Sequence, residues 1–167
     1  VLPHVPNLND FILGMKKIID KKGIIVVQFS AYLLDVIQKC EFDMVYHEHF
    51  SYFSLFKLKK IFESVNLEIF DKDNIDLRIE ERVKKLLEEE EEFGLQKKST
   101  YLEFQKSVEK SKKNIQDFFT NSKAQGKKIV CYGAAAKGNT VLNFCGITKN
   151  NIEYVVDISP HKQEKFM

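Results

Sequence analysis

The chain has 167 residues, of which 44% are hydrophobic and 30% charged, and its formal net charge is +2. This length suits one ordinary domain or two smaller ones, and the apolar fraction is typical of a globular protein. Charges are spread along the chain, which argues against a nucleic-acid or membrane surface, and no apolar run approaches the roughly 18 residues that cross a bilayer. We therefore predict a cytoplasmic protein without those two kinds of partner.

Three cysteines, Cys40, Cys131 and Cys145, are widely spaced and form no CxxC pair. We predict that all three are small buried apolar residues in a reducing compartment rather than metal ligands or nucleophiles. The acidic run at residues 88–92 is predicted to be the solvated face of a helix.

The N-terminal third alternates helical and strand patterns. Asn7 or Asn9 can cap a helix whose apolar residues follow a 3.6-residue period and which ends by Gly23. Residues 24–29, IIVVQF, are short, β-branched and apolar, which predicts a buried strand. Residues 33–40 predict a short helix.

The middle of the chain is predominantly helical by its pattern. Ser54 is predicted to cap an amphipathic helix, which is followed by a strand at residues 67–70. Two long helices are predicted at residues 80–93 and 100–125, the second beginning with a capping box at Thr100.

The C-terminal segment has the pattern of a βαβ unit of Rossmann type. Strands are predicted at residues 128–132 and 152–156, with a glycine-bounded loop at 133–138 and a helix at 139–144 between them. The loop GAAAKG matches neither GxGxxG nor a Walker loop, since Asn139 stands where the Walker lysine belongs.

Small residues at such a turn let backbone N–H groups approach a phosphate, and Lys137 adds a positive charge. The alternative is a tight structural turn. Asp157, after the second strand, lies where a Rossmann carboxylate reaches a ribose hydroxyl; otherwise it is a solvated carboxylate at a strand end.

The stretch YHEHFSYFS at residues 46–54 combines imidazoles, phenols, hydroxyls and a carboxylate. It fits neither an amphipathic helix nor a half-buried strand, which favours an active-site loop. The alternative is a surface loop with aromatic anchors and incidental histidines.

YHEHFSYFS resembles the signature of the nucleotide-sugar C-methyltransferases, enzymes that use S-adenosylmethionine to methylate a ring carbon of a keto-deoxysugar. Three further stretches resemble the same family in the same order: HVPNLNDF from His4, GAAAKGNTVLNFCGI at residues 133–147, and VVDISPHKQEKF at residues 155–166.

The resemblance implies an α/β fold with a partial class I methyltransferase sheet, a helical connector and a partial Rossmann-like βαβ domain. The corresponding domains are the C-terminal part of a methyltransferase domain at residues 1–76, the connector at 77–126 and the start of the C-terminal domain at 127–167. The chain is expected to be a fragment of a longer enzyme, because the family's S-adenosylmethionine-binding loop and N-terminal zinc module are absent from it. A strand that the family carries after Phe70 also has no counterpart here.

Methylation at carbon requires a carbon nucleophile, which in a keto-sugar is the enolate formed by a general base, and an imidazole is a suitable base near neutral pH. The resemblance assigns this role to His49, places Tyr46 and Glu48 in the same site, and adds His4 as an assisting histidine. Expected contacts to a nucleotide-linked keto-sugar come from the C-terminal segment: Gly133, Ala134, Lys137, Gly138, Asn139, Thr140, Asp157, His161 and Lys162.

Two other interpretations stay open. His4, His47, Glu48 and His49 together contain enough ligands for a zinc or iron site, although HEH is not the HExxH spacing. The chain can also be a degenerate module that binds a nucleotide sugar or a partner without turnover.

Overall fold

The computed structural model describes residues 1–30, 32–70 and 80–165. By internal contacts the chain divides into two units, the first of Val1–Lys39 and His47–Leu102 and the second of Cys40–Tyr46 and Glu103–Met167. Among the helices of these described ranges, none is long and apolar enough to span a membrane.

The first unit is built from helices that the sequence predicts. Asn7 caps the first of them by accepting a hydrogen bond from the Asp10 N–H at 3.2 Å, and Ser54 caps the third by accepting one from the Lys57 N–H at 3.2 Å. Both caps confirm the predicted helix starts. The helices are α1 (Leu8–Ile18), α2 (Leu33–Gln38), α3 (Leu55–Glu63) and α4 (Glu80–Phe93).

The core of this unit joins its N-terminal segment to α1 and α3. Leu2 and Ile12 are fully buried, and Phe53, Leu58 and Phe62 pack with them. Leu2 lies in a 3₁₀ turn, Leu2–His4, so the core fixes the backbone directly before and at His4.

The prediction of a buried strand at residues 24–29 is wrong. The segment belongs to no strand in the structure, and its side chains alternate, with Val27 and Phe29 packed on the core while Val26 is 75% exposed. Residues 67–70 likewise belong to no strand, although Leu67 and Ile69 pack on the core. A strand is stabilised by hydrogen-bonded neighbours, and within the described ranges neither segment has one. The predicted methyltransferase sheet is therefore not formed by the described residues.

Helix α5 (Lys98–Ala124) begins two residues before the predicted capping box. The Thr100 hydroxyl donates to the Gly94 carbonyl at 2.7 Å and so serves the turn after α4 rather than the start of α5. Gly94 has φ +78°, a conformation that favours glycine and ends α4. The long helices predicted at residues 80–93 and 100–125 are otherwise confirmed.

The second unit contains the C-terminal part of α5 and a β-α-β segment. Strands β1 (Cys131–Tyr132) and β2 (Val155–Val156) pair in parallel, with Cys131 opposite Val155, and helix α6 (Ala136–Cys145) connects them. The predicted element order is confirmed, while each strand is shorter than predicted and α6 begins three residues earlier, inside the loop predicted at 133–138. One backbone hydrogen bond, from the Glu153 N–H to the Ile129 carbonyl at 2.9 Å, extends the pairing beyond the two strands.

Some sequence predictions lie outside the described residues. They are the missing family strand after Phe70, which falls at residues 71–79, and Phe166, the last residue of the family-like stretch at 155–166.

Candidate functional site

The loop that carries YHEHFSYFS is joined to the N-terminal segment by the backbone. The Phe50 N–H donates to the Pro3 carbonyl at 2.8 Å, and Pro3 is fully buried beside Leu2. The core therefore holds the two segments together at the point where each carries a histidine.

His4 and His49 are neighbours in the structure. Their ring centroids lie 4.8 Å apart at an interplanar angle of 60°, and the Tyr52 ring lies edge-on to His49 with centroids 5.9 Å apart. His49 is 7% exposed, whereas His4 is exposed. A molecule that approaches from solvent therefore meets His4 on the open side of this pair.

The tautomer of His4 follows from its hydrogen bond. His4 Nδ1 lies 2.9 Å from the Glu48 backbone oxygen, which can only accept, so Nδ1 carries the hydrogen. In the neutral imidazole, Nε2 is then unprotonated and can accept a hydrogen bond or a proton.

Tyr46, His47 and Glu48 are more exposed than His49. His47 and Glu48 are exposed and approach each other at 4.0 Å between Nε2 and Oε1, an ion pair only when His47 is protonated. Such an exposed pair contributes little to stability. Tyr46 is half-buried and is the last residue of the segment Cys40–Tyr46 in the second unit.

The GAAAKG loop is tied to the end of β2 by Asp157. The Ala134 N–H donates to Asp157 Oδ2 at 2.7 Å, the Ser159 N–H donates to Oδ1 at 2.8 Å, and Lys162 Nζ lies 3.4 Å from Oδ2. The hydrogen bonds from Ser159 and Ala134, followed by the Lys162 contact, lower the pKa of Asp157. Gly133, with φ +94°, lets the chain turn here while its N–H donates to the Val156 carbonyl at 2.7 Å.

Several predicted ligands lie in the first turns of α6. No side chain caps this helix at Ala135, and Lys137 is exposed. Thr140 and Asn139 bond within the helix: the Thr140 hydroxyl donates to the Ala136 carbonyl at 3.2 Å, and Asn143 Nδ2 donates to the Asn139 backbone and side-chain oxygens. Gly138 is half-buried at the third position of α6, and His161 is exposed in the segment after β2.

Two features of the described residues bear on metals and thiols. They contain no group of three or more His, Cys, Asp or Glu side chains arranged to hold a metal ion. All three cysteines are free; Cys145 is buried as predicted, whereas Cys40 and Cys131 are half-buried. Burial raises the pKa of the Cys145 thiol.

Glu90 was missed by the sequence interpretation of the acidic run at residues 88–92. Its neighbours in the run are exposed, but Glu90 is 2% exposed and its carboxylate accepts hydrogen bonds from Tyr32, Leu55 and Phe56. The helical period contained the signal, because Glu90 lies seven residues after buried Val83 and so falls on the apolar stripe of α4.

Comparison with known proteins agrees with the methyltransferase-like motifs. A family model described as the C-methyltransferase C-terminal domain matches residues 64–167, more than half of the chain. The chain therefore belongs to the C-methyltransferase family.

One similar protein is the C-methyltransferase NovU of Streptomyces niveus, which is 29% identical over an alignment of 180 positions. The alignment includes 98% of this chain and 43% of NovU, so the chain spans less than half the length of that relative.

Proposed function

We propose that this chain is part of an S-adenosylmethionine-dependent enzyme that methylates a ring carbon of a nucleotide-linked keto-deoxysugar. The observation that carries the proposal is the contact between His4 and His49, two residues of separate family-like motifs, in a chain of the C-methyltransferase family. Its activity belongs to a longer protein, of which this chain is a fragment, and we place that protein in the cytoplasm.

In this mechanism His49 removes the proton from the carbon beside the sugar ketone. The electron pair left on carbon is delocalised into the carbonyl, which gives an enolate. When bound, S-adenosylmethionine would supply an electrophilic methyl group to that carbon, and its sulfonium would become a neutral thioether. His49 then holds the abstracted proton on its ring.

The neighbouring residues orient the sugar in this proposal. His4 accepts a hydrogen bond from a sugar hydroxyl through Nε2, since Nδ1 is engaged by the Glu48 carbonyl. Tyr46 donates to the oxygen on which charge develops, and the exposed Glu48 carboxylate accepts from a second hydroxyl. None of these roles requires a metal ion.

The second unit is proposed to hold the nucleotide part of the substrate. The Ala134 N–H is not offered to a phosphate, because it donates to Asp157. A phosphate would instead be bound by the first-turn N–H groups of α6 and by Lys137. Gly133 and Gly138 keep this approach open, while Asn139, Thr140 and His161 flank it. The carboxylate of Asp157, which lies beside Lys162, is proposed to accept a hydrogen bond from a ribose hydroxyl.

We also propose a domain for each part of the chain. Residues 1–76 are proposed to complete the methyltransferase domain, and residues 127–167 to begin a Rossmann-like domain. Residues 77–126 are proposed to form the helical connector between these two domains.

The test is exchange of the sugar's α-proton in heavy water without S-adenosylmethionine, using the full-length protein and a panel of nucleotide-linked keto-sugars. We expect His49→Ala to slow exchange by about 100-fold or more, because general-base catalysis contributes about that much. His47→Ala is the matched control: it removes an adjacent, 83% exposed imidazole and is expected to retain exchange.

Equal exchange rates in His49→Ala and the unmodified protein would contradict the base assignment. Binding of a nucleotide sugar without exchange or methyl transfer in the unmodified protein would favour the non-catalytic binding module instead.

A further inference from the structure

Glu90 forms a buried cluster with Tyr32 and the start of α3. Oε1 of Glu90 accepts hydrogen bonds from the Tyr32 hydroxyl at 2.7 Å and the Leu55 N–H at 2.5 Å, while Oε2 accepts one from the Phe56 N–H at 3.0 Å. Burial, then the hydrogen bond to Glu90 and its negative charge, raise the pKa of Tyr32. The phenol therefore stays protonated and acts as a donor at neutral pH.

This carboxylate caps α3 from a different helix and accepts hydrogen bonds from two of the three N–H groups that side chains satisfy there. The first turn of a helix exposes backbone N–H groups that need acceptors. Glu90 accepts from Leu55 and Phe56, and the Ser54 hydroxyl accepts from Lys57. The negative charge also lies at the positive end of the helix dipole, which favours it there.

The capped turn is the C-terminal anchor of the loop that carries His49. Leu33 directly follows Tyr32, and its N–H donates to the Phe53 carbonyl at 2.9 Å. This hydrogen bond and the contacts of Glu90 together hold the chain at residues 53–56. The other anchor is the hydrogen bond from the Phe50 N–H to the Pro3 carbonyl. The two anchors bound residues 50–53; Tyr52, inside them, contacts the His49 ring, and His49 directly precedes the anchored Phe50.

We infer that Glu90 is a positioning residue for His49: it holds the start of α3 on α4 and thereby fixes the loop on which the proposed base is carried. The inference rests on the proposed function, since it assigns Glu90 a role in orienting the His49 ring for proton removal. Glu90 itself touches none of the reacting atoms.

Glu90→Gln in the full-length protein tests this role. The amide keeps the size of the side chain but replaces one carboxylate oxygen with an NH2 donor, so either the Leu55 or the Phe56 N–H loses its acceptor. Labelling of His49 by diethyl pyrocarbonate, read by mass spectrometry, reports on the loop without requiring activity. Exposed His161 is the internal reference, and Glu91→Gln, an exposed neighbour in the same run, is the matched control.

We expect Glu90→Gln to raise the labelling rate of His49 relative to His161 by about tenfold, because the loop opens more often once its anchor is weakened. We also expect kcat to fall by about tenfold with little change in the KM for the sugar, since a misplaced base affects the chemical step. Glu91→Gln should leave both quantities within about twofold of the unmodified protein. Circular dichroism and a thermal midpoint show that each variant is folded at the assay temperature.

An unchanged labelling rate of His49 in folded Glu90→Gln overturns the inference, whatever happens to kcat. Should Glu90→Gln not fold, Tyr32→Phe removes a single donor from the carboxylate and is expected to raise His49 labelling by about threefold, with no rise overturning the inference. If the unmodified protein methylates no keto-sugar, the proposed function fails, while the labelling rates still decide whether Glu90 holds His49.

Discussion

Asp157 illustrates how a single carboxylate can tie two loops together. Its two oxygens accept from Ser159 and Ala134, and these bonds lower its pKa from the ordinary value of 3.8. Because the folded-state pKa is the lower one, the stabilisation is fully present above the unfolded-state pKa. It is lost as the pH falls through the folded-state value.

We therefore expect Asp157→Asn to destabilise the second unit at pH 7 and to have a smaller effect at pH 3. Urea unfolding of the full-length protein at both pH values, with amide exchange at residues 134 and 159 as the local probe, measures this difference. Glu164→Gln, at an exposed carboxylate in the same segment, is the control and should show no such pH dependence. A loss of stability that is the same at both pH values would contradict the role assigned to the charge.

The motifs predicted the proximity of His4 and His49, which the structure shows, while the roles of both residues stay predictions. The resemblance placed His4 and His49 in one site, although they are 45 positions apart and neither periodicity nor spacing joins them. Glu90 could not be placed in the same way, since its partners at Tyr32 and Leu55 are distant in sequence and two of its three hydrogen bonds go to backbone groups. Which distant side chain accepts from the backbone N–H groups at a helix start cannot be predicted until the packing of that helix is known.

At the scale of elements, the C-terminal end of α6 and the middle of α1 give a matched pair of glycine substitutions. Gly146 ends α6 with φ +69°, and Gly14 lies inside α1; a Cβ at either position would meet no atom within 4 Å. Any effect of alanine at these sites is therefore conformational.

We expect Gly146→Ala to destabilise by about 1 kcal/mol, because an L-residue pays that much in the left-handed region. Gly14→Ala should stabilise by about 0.5–1 kcal/mol, because alanine is the better helix former. Thermal unfolding of both variants checks the prediction, and a change of the same sign in both would contradict it.

Helices were predicted more successfully than strands for a physical reason. The caps at Asn7 and Ser54 and the apolar period are local, so residues close in sequence suffice to form α1 and α3. The extended segments at residues 24–29 and 67–70 have the composition of strands, but a strand needs a partner from elsewhere in the chain. Two of the predicted strands do have each other as partners, and they pair as β1 and β2.

At the scale of the whole molecule, the chain passes from one unit to the other at residues 39–40, 46–47 and 102–103. The short segment Cys40–Tyr46 therefore belongs with α6, and the Phe42 and Phe144 rings lie 5.4 Å apart. Helix α5 also supports α6, since Gln116 Nε2 donates to the Cys145 carbonyl at 2.8 Å.

We expect a peptide of residues 127–167 to be unfolded, because it lacks these supports and is too short to bury a core of its own. Amide exchange at residues 136–145 measures this: protection is expected in the full-length protein and not in the peptide. Protected amides in the peptide would show that the βαβ segment folds without Phe42 and Gln116.

Glu48 acts on His4 through its backbone oxygen, an atom that every amino acid carries. Replacing the Glu48 side chain removes the carboxylate but leaves the acceptor that sets the His4 tautomer. The orientation of His4 is therefore robust to mutation at position 48 and sensitive to the path of the chain between Pro3 and Phe50. Because the acceptor is a backbone atom, this contact depends on the conformation of the chain and cannot be recognised from the residue type at position 48.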